Sequence, residues 1–230
     1  MDVAVIGGTG AEGFGLALRL VIAGHHVIIG SRDASRGADA AERAAEIAGR
    51  GVDGTDNVSA AINASVPGGV VAVTVPFAGQ AEIYRSIKDA VVPGAVVWDA
   101  TSPLATAVGG RPWQVLRPWH GSAAEQARAI LGDDARVVAG LHTIAAEDLQ
   151  DLDRDIDSDV LLCGDDAQAK ARVGSLIDGI PGMRWLDCGR LEMARVTEPL
   201  TALLVSINRT YRIKDSGFRI VGRDAWGAPR

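Results

Sequence analysis

Two clusters in this sequence are spaced to do chemistry. The first is Gly8-Thr9-Gly10-Ala11-Glu12-Gly13, which fits G-x-G-x-x-G. It follows the apolar run DVAVIG and opens a stretch with Leu16, Leu18, Leu20 and Val21 at helical spacing. Between a strand and a helix, this pattern cradles a pyrophosphate. Gly8 is expected to permit the tight turn and Gly10 to let a phosphate approach the backbone. Gly13 would let the helix pack close to the strand. The free N–H groups at the positive helix end would then face the anion. A glycine-rich turn without a ligand is the plainer alternative, and the strand–loop–helix–strand context weighs against it.

The second cluster is Ser31-Arg32 with Arg36 one helical turn on, after the strand-like run HHVIIG. An acid that holds a ribose usually stands about 20 residues after the glycine loop. A carboxylate there repels a 2'-phosphate, whereas a serine hydroxyl and a guanidinium fork bind one. The cluster therefore reads as an NADP pocket rather than an NAD pocket. Asp33 is the competing candidate, as a ribose acid displaced by two positions.

Other candidates carry less. DLDRDIDSD, residues 151–159, alternates acids like a calcium loop but lacks glycine at the sixth place and glutamate at the twelfth, so it reads as a solvated charged loop. His25 and His26 lack metal-ligand spacing, and no metal site is expected. Cys163 and Cys188 close two strand-like runs and read as small core residues. There is no G-x-S-x-G elbow, and no proton-transfer pair stands out as a catalytic set. Hydride transfer between two cofactors needs positioning more than acid–base chemistry, so that absence is informative.

The elements that must hold these residues alternate strand and helix. Strands are expected at DVAVIG, HHVIIG, GGVVAVTVP, GAVVWDATSP, ARVVAGLHTI, DVLLCG and MRWLDCG. Helices are expected over 12–23, 33–50, 78–91, 121–132 and 166–179, with one long helix over 191–211 and a loop over the tryptophan-rich 111–121. That order implies an α/β fold: an N-terminal doubly wound parallel sheet over 1–145 and a smaller C-terminal α/β domain over 146–230. The chain has 230 residues and a net charge of −6, which argues against a nucleic-acid partner. No apolar run is long enough to cross a membrane, and no signal peptide precedes the first strand. Two distant thiols suit a reducing, cytoplasmic setting.

Beyond these motifs, GSAAEQA, GLHTIAA, DVLLCGDD, LDCGRL, EPLTALLVSINR and FRIVG, together with the first two clusters, resemble the NADPH-dependent coenzyme F420 reductases over nearly the whole chain. The resemblance implies an N-terminal Rossmann domain and a small C-terminal domain. A cleft between them stacks a nicotinamide on a deazaflavin. It implies that Thr9, Gly10, Ala11 and Glu12 line the NADP phosphates, and that Ser31, Arg32 and Arg36 hold the 2'-phosphate. Val75, Pro76 and Gly79 would lie near the nicotinamide half, and His142, Ile144 and Thr201 would line the deazaflavin pocket. Pro199 stands where a relative has a serine, and the 111–121 loop is longer than in short archaeal-type members.

The cofactors implied are thus NADP(H) and coenzyme F420, in an enzyme that passes a hydride between them, with a homodimer as the assembly. Two alternatives remain at this level. One is an NADPH-dependent reductase of a small imine or carbonyl compound, with His142 as proton donor. The other is a non-catalytic NADP(H) redox sensor.

Overall fold

The structure is a computed structural model and describes residues 1–222. The chain runs β1 (Asp2–Ile6), α1 (Ala11–Ile22), β2 (His26–Ser31), α2 (Ala34–Ala48), β3 (Asp53–Asp56), α3 (Asn57–Ala64), β4 (Val70–Val73) and α4 (Phe77–Ile87). It continues β5 (Val96–Asp99), α5 (Ala123–Leu131), β6 (Arg136–Ala139), α6 (Ala146–Gln150), β7 (Asp159–Gly164), α7 (Ala167–Ile177), β8 (Arg184–Asp187), α8 (Ala194–Thr197) and α9 (Leu200–Tyr211).

The strands form one sheet in the order β3-β2-β1-β4-β5-β6-β7-β8. Pairing from β3 to β6 is parallel; β7 runs antiparallel to β6, and β8 parallel to β7. The central strands are apolar on both faces because helices cover both, as a parallel sheet requires. Leu16, Leu20, Trp98 and Leu162 pack in one layer; Ile6, Tyr84, Val97 and Ala124 pack in the other. The fold is the expected doubly wound α/β arrangement, and the chain reverses its winding between β1 and β4, where such sheets open a crevice.

The sheet runs without a break across position 145, through the β6–β7 pairing. Arg19, buried on α1, adds a second tie. Its guanidinium donates to the carbonyls of Leu149 (3.1 Å), Asp148 (2.8 Å), Asp151 and Arg154 (3.1 Å).

Several sequence expectations need correction. The hairpin-sized segment 51–64 carries β3 and α3, which the apolar pattern hides, since Asp-Gly-Thr-Asp has no hydrophobic residue. The strand expected over 135–144 stops at Ala139, so that His142 lies beyond the strand's C-terminal end. The single helix expected over 191–211 is a 3-10 turn (Leu191–Met193), α8 and α9, interrupted at Glu198-Pro199. Pro199 has no N–H to continue the ladder, and the chain tightens to a Thr201 N–H to Glu198 O bond of 3.3 Å. The acidic stretch is not wholly solvated. Asp159 is fully buried, takes Arg184 Nε (2.7 Å) and Arg219 Nη1 (2.8 Å), and is held below the usual carboxylate range by those bonds despite burial.

Candidate functional site

The C-terminal ends of β1, β2, β4, β5 and β6 open on one cleft with two lobes. The first, about 400 Å³, is lined by Gly7, Thr9, Gly10, Ser31, Arg32 and Arg36 on one side and by Asn57, Thr74, Val75, Pro76 and Gly79 on the other. The second, about 300 Å³, is lined by Ala11, Glu12, Ala100, Ser102, His142, Ile144 and Thr201. Gly10, Thr74, Val75 and Pro76 border both, so the lobes are continuous.

The glycine loop divides its duties differently from the sequence expectation. The left-handed turn is at Gly7 (φ +79°), not Gly8. Gly8 is needed for close packing instead: a Cβ there would meet Val5 O at 2.8 Å, and its N–H donates to Val5 O and Gly30 O. Gly13 is wedged against the loop, where a Cβ would lie 2.8 Å from Gly7 O and 2.9 Å from Gly8 Cα. Gly10 is the open one. A Cβ there meets only Gly7 O, at 3.3 Å, and its backbone is ordinary extended chain. Gly10 caps α1 without any side-chain partner for the first-turn N–H groups, which leaves them for an anion.

At the end of β2, Ser31 is buried and Arg32 and Arg36 are exposed. No described residue forms a hydrogen bond or ion pair with Arg32. Asp33 is taken up as the cap of α2, where its Oδ1 accepts from Ser35 N (2.9 Å) and Ser35 Oγ (2.9 Å). Asn57, at the start of α3, accepts weakly from Gly7 N (3.4 Å) and completes the floor. The sequence reading missed Asn57 because it missed α3.

The second lobe is built on hydrogen bonds between two strand ends and α9. His142 is 6% exposed, and its Nδ1 lies 3.2 Å from Ala100 O. A carbonyl only accepts, so Nδ1 carries the proton and Nε2 keeps a lone pair. That Nε2 is buried and has no partner among the described residues. Burial lowers the His142 pKa to about 4, against the smaller opposing effect of the Ala100 bond. His142 is therefore a neutral acceptor at pH 7, which counts against the alternative in which it is the proton donor. The preceding residue, Leu141, sits in the left-handed region (φ 83°), an uncommon position for a buried aliphatic residue and one that aims His142.

Thr201 does not bond back within its own helix. Its Oγ1 donates to His142 O (2.7 Å), so the Ser102 hydroxyl donates to Thr201 Oγ1 (2.6 Å). This chain ties α9 to the ends of β5 and β6 around the lobe. The Glu12 side chain lines the second lobe and not the first; desolvation first and Asp99 second raise its pKa to about 8. Asp99, at the end of β5, is fully buried. It accepts from Gln80 Nε2 and Thr101 N, both at 2.6 Å, and burial raises its pKa to about 6. The end of a central parallel strand is where such a residue could have been sought.

All the residues expected from the sequence thus lie in or against one cleft, Gly8 and Gly13 as its packing and the others as its lining.

Comparison with known proteins identifies relatives of this chain. Residues 2–103 match the family model described as NADP oxidoreductase, coenzyme F420-dependent. The F420-dependent NADP reductase of Methanothermobacter marburgensis is 42% identical over 224 residues, 96% of this chain and 98% of that protein. The enzyme of the same name from Methanothermobacter thermautotrophicus is 41% identical, over 96% of this chain and 94% of that protein. A crystal structure from Arthrobacter sp. FB24, described as a candidate F420-dependent NADP reductase, superposes with a TM-score of 0.81 at 25% identity, covering 96% of this chain and 99% of that one.

Proposed function

This chain belongs to the coenzyme F420-dependent NADP oxidoreductase family, and on that premise we propose that it is an enzyme that moves a hydride between NADP(H) and the deazaflavin of coenzyme F420. The observation that carries the reading is the two-lobed cleft. One lobe has a helix N-terminus without a side-chain cap and an Arg32 with no partner among the described residues, and the other has a buried acceptor at His142 Nε2. The two coenzymes supply the hydride donor and acceptor.

The protein's own residues position them. Gly8 and Gly13 shape the loop; Thr9, Gly10 and the first turn of α1 hold the pyrophosphate. Ser31, Arg32 and Arg36 select the 2'-phosphate. Val75 and Pro76, where the lobes meet, and Gly79 in the first lobe wall the nicotinamide half. In the second lobe Ile144 and Thr201 surround the ring, Ala11 and Glu12 border it while their backbone N–H groups face the phosphates, and His142 Nε2 accepts from a ring N–H. An acceptor suits a deazaflavin pyrimidine N–H, and not the oxygen of a carbonyl substrate. Productive transfer needs the reacting carbons roughly 3–3.5 Å apart, and the shared wall at Gly10, Thr74, Val75 and Pro76 sets that approach.

In this reading 1–145 binds NADP(H) and 146–230 closes the deazaflavin side through α9. A homodimer is part of the proposal, supported by the exposed apolar Val196 and Leu203 of α8 and α9. A cytoplasmic setting is part of the proposal, supported by the presence of only two cysteines in 230 residues, and nucleic acid is set aside on the charge of −6. No described helix is long and apolar enough to cross a membrane.

The test is an anaerobic mixture of protein, NADPH and coenzyme F420, followed by deazaflavin absorbance. The expected result is catalytic loss of the oxidised deazaflavin band, reversed by NADP with the reduced coenzyme. Unchanged absorbance in both directions, with NADPH bound, would overturn the proposal.

A further inference from the structure

Passing a hydride between a nicotinamide and a deazaflavin also moves a proton: a ring nitrogen of the deazaflavin gains one when a ring carbon gains the hydride. The second lobe has few side chains that could supply it. Its lining holds no lysine or arginine. His142 is neutral near pH 7, and its single N–H is given to Ala100 O. The three hydroxyls are committed as well. Thr74 Oγ1 donates to Ile6 O (3.0 Å), Thr201 Oγ1 to His142 O (2.7 Å), and Ser102 Oγ to Thr201 Oγ1 (2.6 Å).

Glu12 is the exception. It stands in the first turn of α1, half-buried, and its side chain lines the second lobe and not the first. No described residue donates a hydrogen bond to its carboxyl, and no basic side chain faces it. The charge that acts on it is Asp99, buried beside Ala100, where it accepts from Gln80 Nε2 and Thr101 N, both at 2.6 Å. Asp99 opposes a second negative charge, and together with desolvation, the larger cause, it raises the Glu12 pKa to about 8. The positive end of α1 pulls the other way, and NADP phosphates seated there offset it. Glu12 is thus a carboxylic acid near neutral pH, no other residue takes up its proton, and it titrates close enough to neutrality to give that proton away.

We propose that Glu12 is a catalytic residue: the general acid that protonates the deazaflavin ring nitrogen as the hydride arrives, and the base that removes that proton in the reverse direction. The inference rests on the deazaflavin reading of the second lobe. Toward the reduced deazaflavin, the nicotinamide C–H bond breaks with its electron pair and a C–H bond forms on the deazaflavin ring. The pair displaced in that ring ends on nitrogen and takes the Glu12 proton as the O–H bond breaks. The nicotinamide is left oxidised and Glu12 as a carboxylate, which regains a proton from solvent because the side chain is only half-buried.

The experiment compares the wild type with Glu12→Gln, which keeps the size and shape of the side chain and removes the acid. General acid catalysis contributes about a hundredfold or more. With NADPH and coenzyme F420 saturating at pH 7, Glu12→Gln should lower kcat about a hundredfold, and KM for NADPH should stay nearly the same because the side chain lies outside the first lobe. Wild-type kcat for deazaflavin reduction should fall as pH rises through about 8, where the acid form is lost, and kcat for NADP reduction should rise through the same pH. Both steps should be missing in the variant. Independently of turnover, an infrared titration of the protein alone should show a carboxylic acid band that disappears around pH 8 in the wild type and is absent in Glu12→Gln. An unchanged kcat, a loss of kcat that leaves the pH steps in place, or an infrared titration identical in both proteins would overturn the role of Glu12 and leave the reading of the lobe standing. If the wild type binds NADPH but reduces no deazaflavin, the lobe reading fails and the role of Glu12 with it.

Discussion

Gly10 and Gly13 stand three residues apart in one motif, and the structure predicts opposite consequences for replacing them. At Gly13 a Cβ would lie 2.8 Å from Gly7 O and 2.9 Å from Gly8 Cα, backbone atoms that cannot move aside without reshaping the loop. Overpacking of that kind costs about 1–3 kcal/mol. In a chain of this size each kcal/mol shifts Tm by about 2–4 °C, so Gly13→Ala should melt about 2–12 °C lower. At Gly10 the only neighbour of a Cβ is Gly7 O at 3.3 Å, and φ −77°, ψ 163° suits any residue. Gly10→Val should therefore melt within about 3 °C of the wild type, because a ΔΔG below about 1 kcal/mol moves Tm little. Its branched side chain instead fills the space above the α1 N-terminus. Losing even one charge-assisted bond to a phosphate costs about 1.5–3 kcal/mol, so NADPH should bind at least about tenfold more weakly. The assay is a thermal melt of each variant with and without NADPH, alongside a fluorescence titration. The wild type should gain stability from NADPH, and Gly10→Val should gain almost none at the same concentration. Wild-type NADPH affinity in Gly10→Val, or a wild-type melt in Gly13→Ala, would refute the assignment of these two glycines.

Two further outcomes follow from the same cleft. Arg32→Ala should weaken NADPH about tenfold or more and leave NADH nearly unchanged, with the gap shrinking in high salt; equal losses for both nucleotides in a binding titration would make Arg32 structural. His142 has a folded-state pKa near 4, below its ordinary 6.5, so its contribution to stability is fully present above about pH 6.5 and is lost as pH falls through about 4. The gap bounds that loss at about 3 kcal/mol. The stability advantage of the wild type over His142→Gln should therefore shrink between pH 7 and pH 4 in denaturant melts, and a constant difference across that range would contradict a neutral buried imidazole.

The local patterns were legible in the sequence wherever one short segment carries its own physics. Strand, glycine loop and helix over residues 2–22 can be read because each depends on neighbours within a few positions: apolar β-formers, glycines, then helical spacing. Ser31-Arg32 could be placed on the cleft because its register after β2 follows from strand length. The family resemblance, carried by motifs, added the His142–Ile144 and Thr201 positions. What tertiary structure decided is how distant segments meet. Asp-Gly-Thr-Asp forms β3 only because β2 offers it an edge to pair with, so no local signal marked it or Asn57 beyond it. Pro199 interrupts the last helix, yet only the fold shows that the break seats Glu198 on α5 and Thr201 on the carbonyl of His142. The protonation state of His142 was likewise not in the sequence. It is set by Ala100 O, 42 positions away, and by burial, because a carbonyl must accept and a desolvated imidazole resists charge.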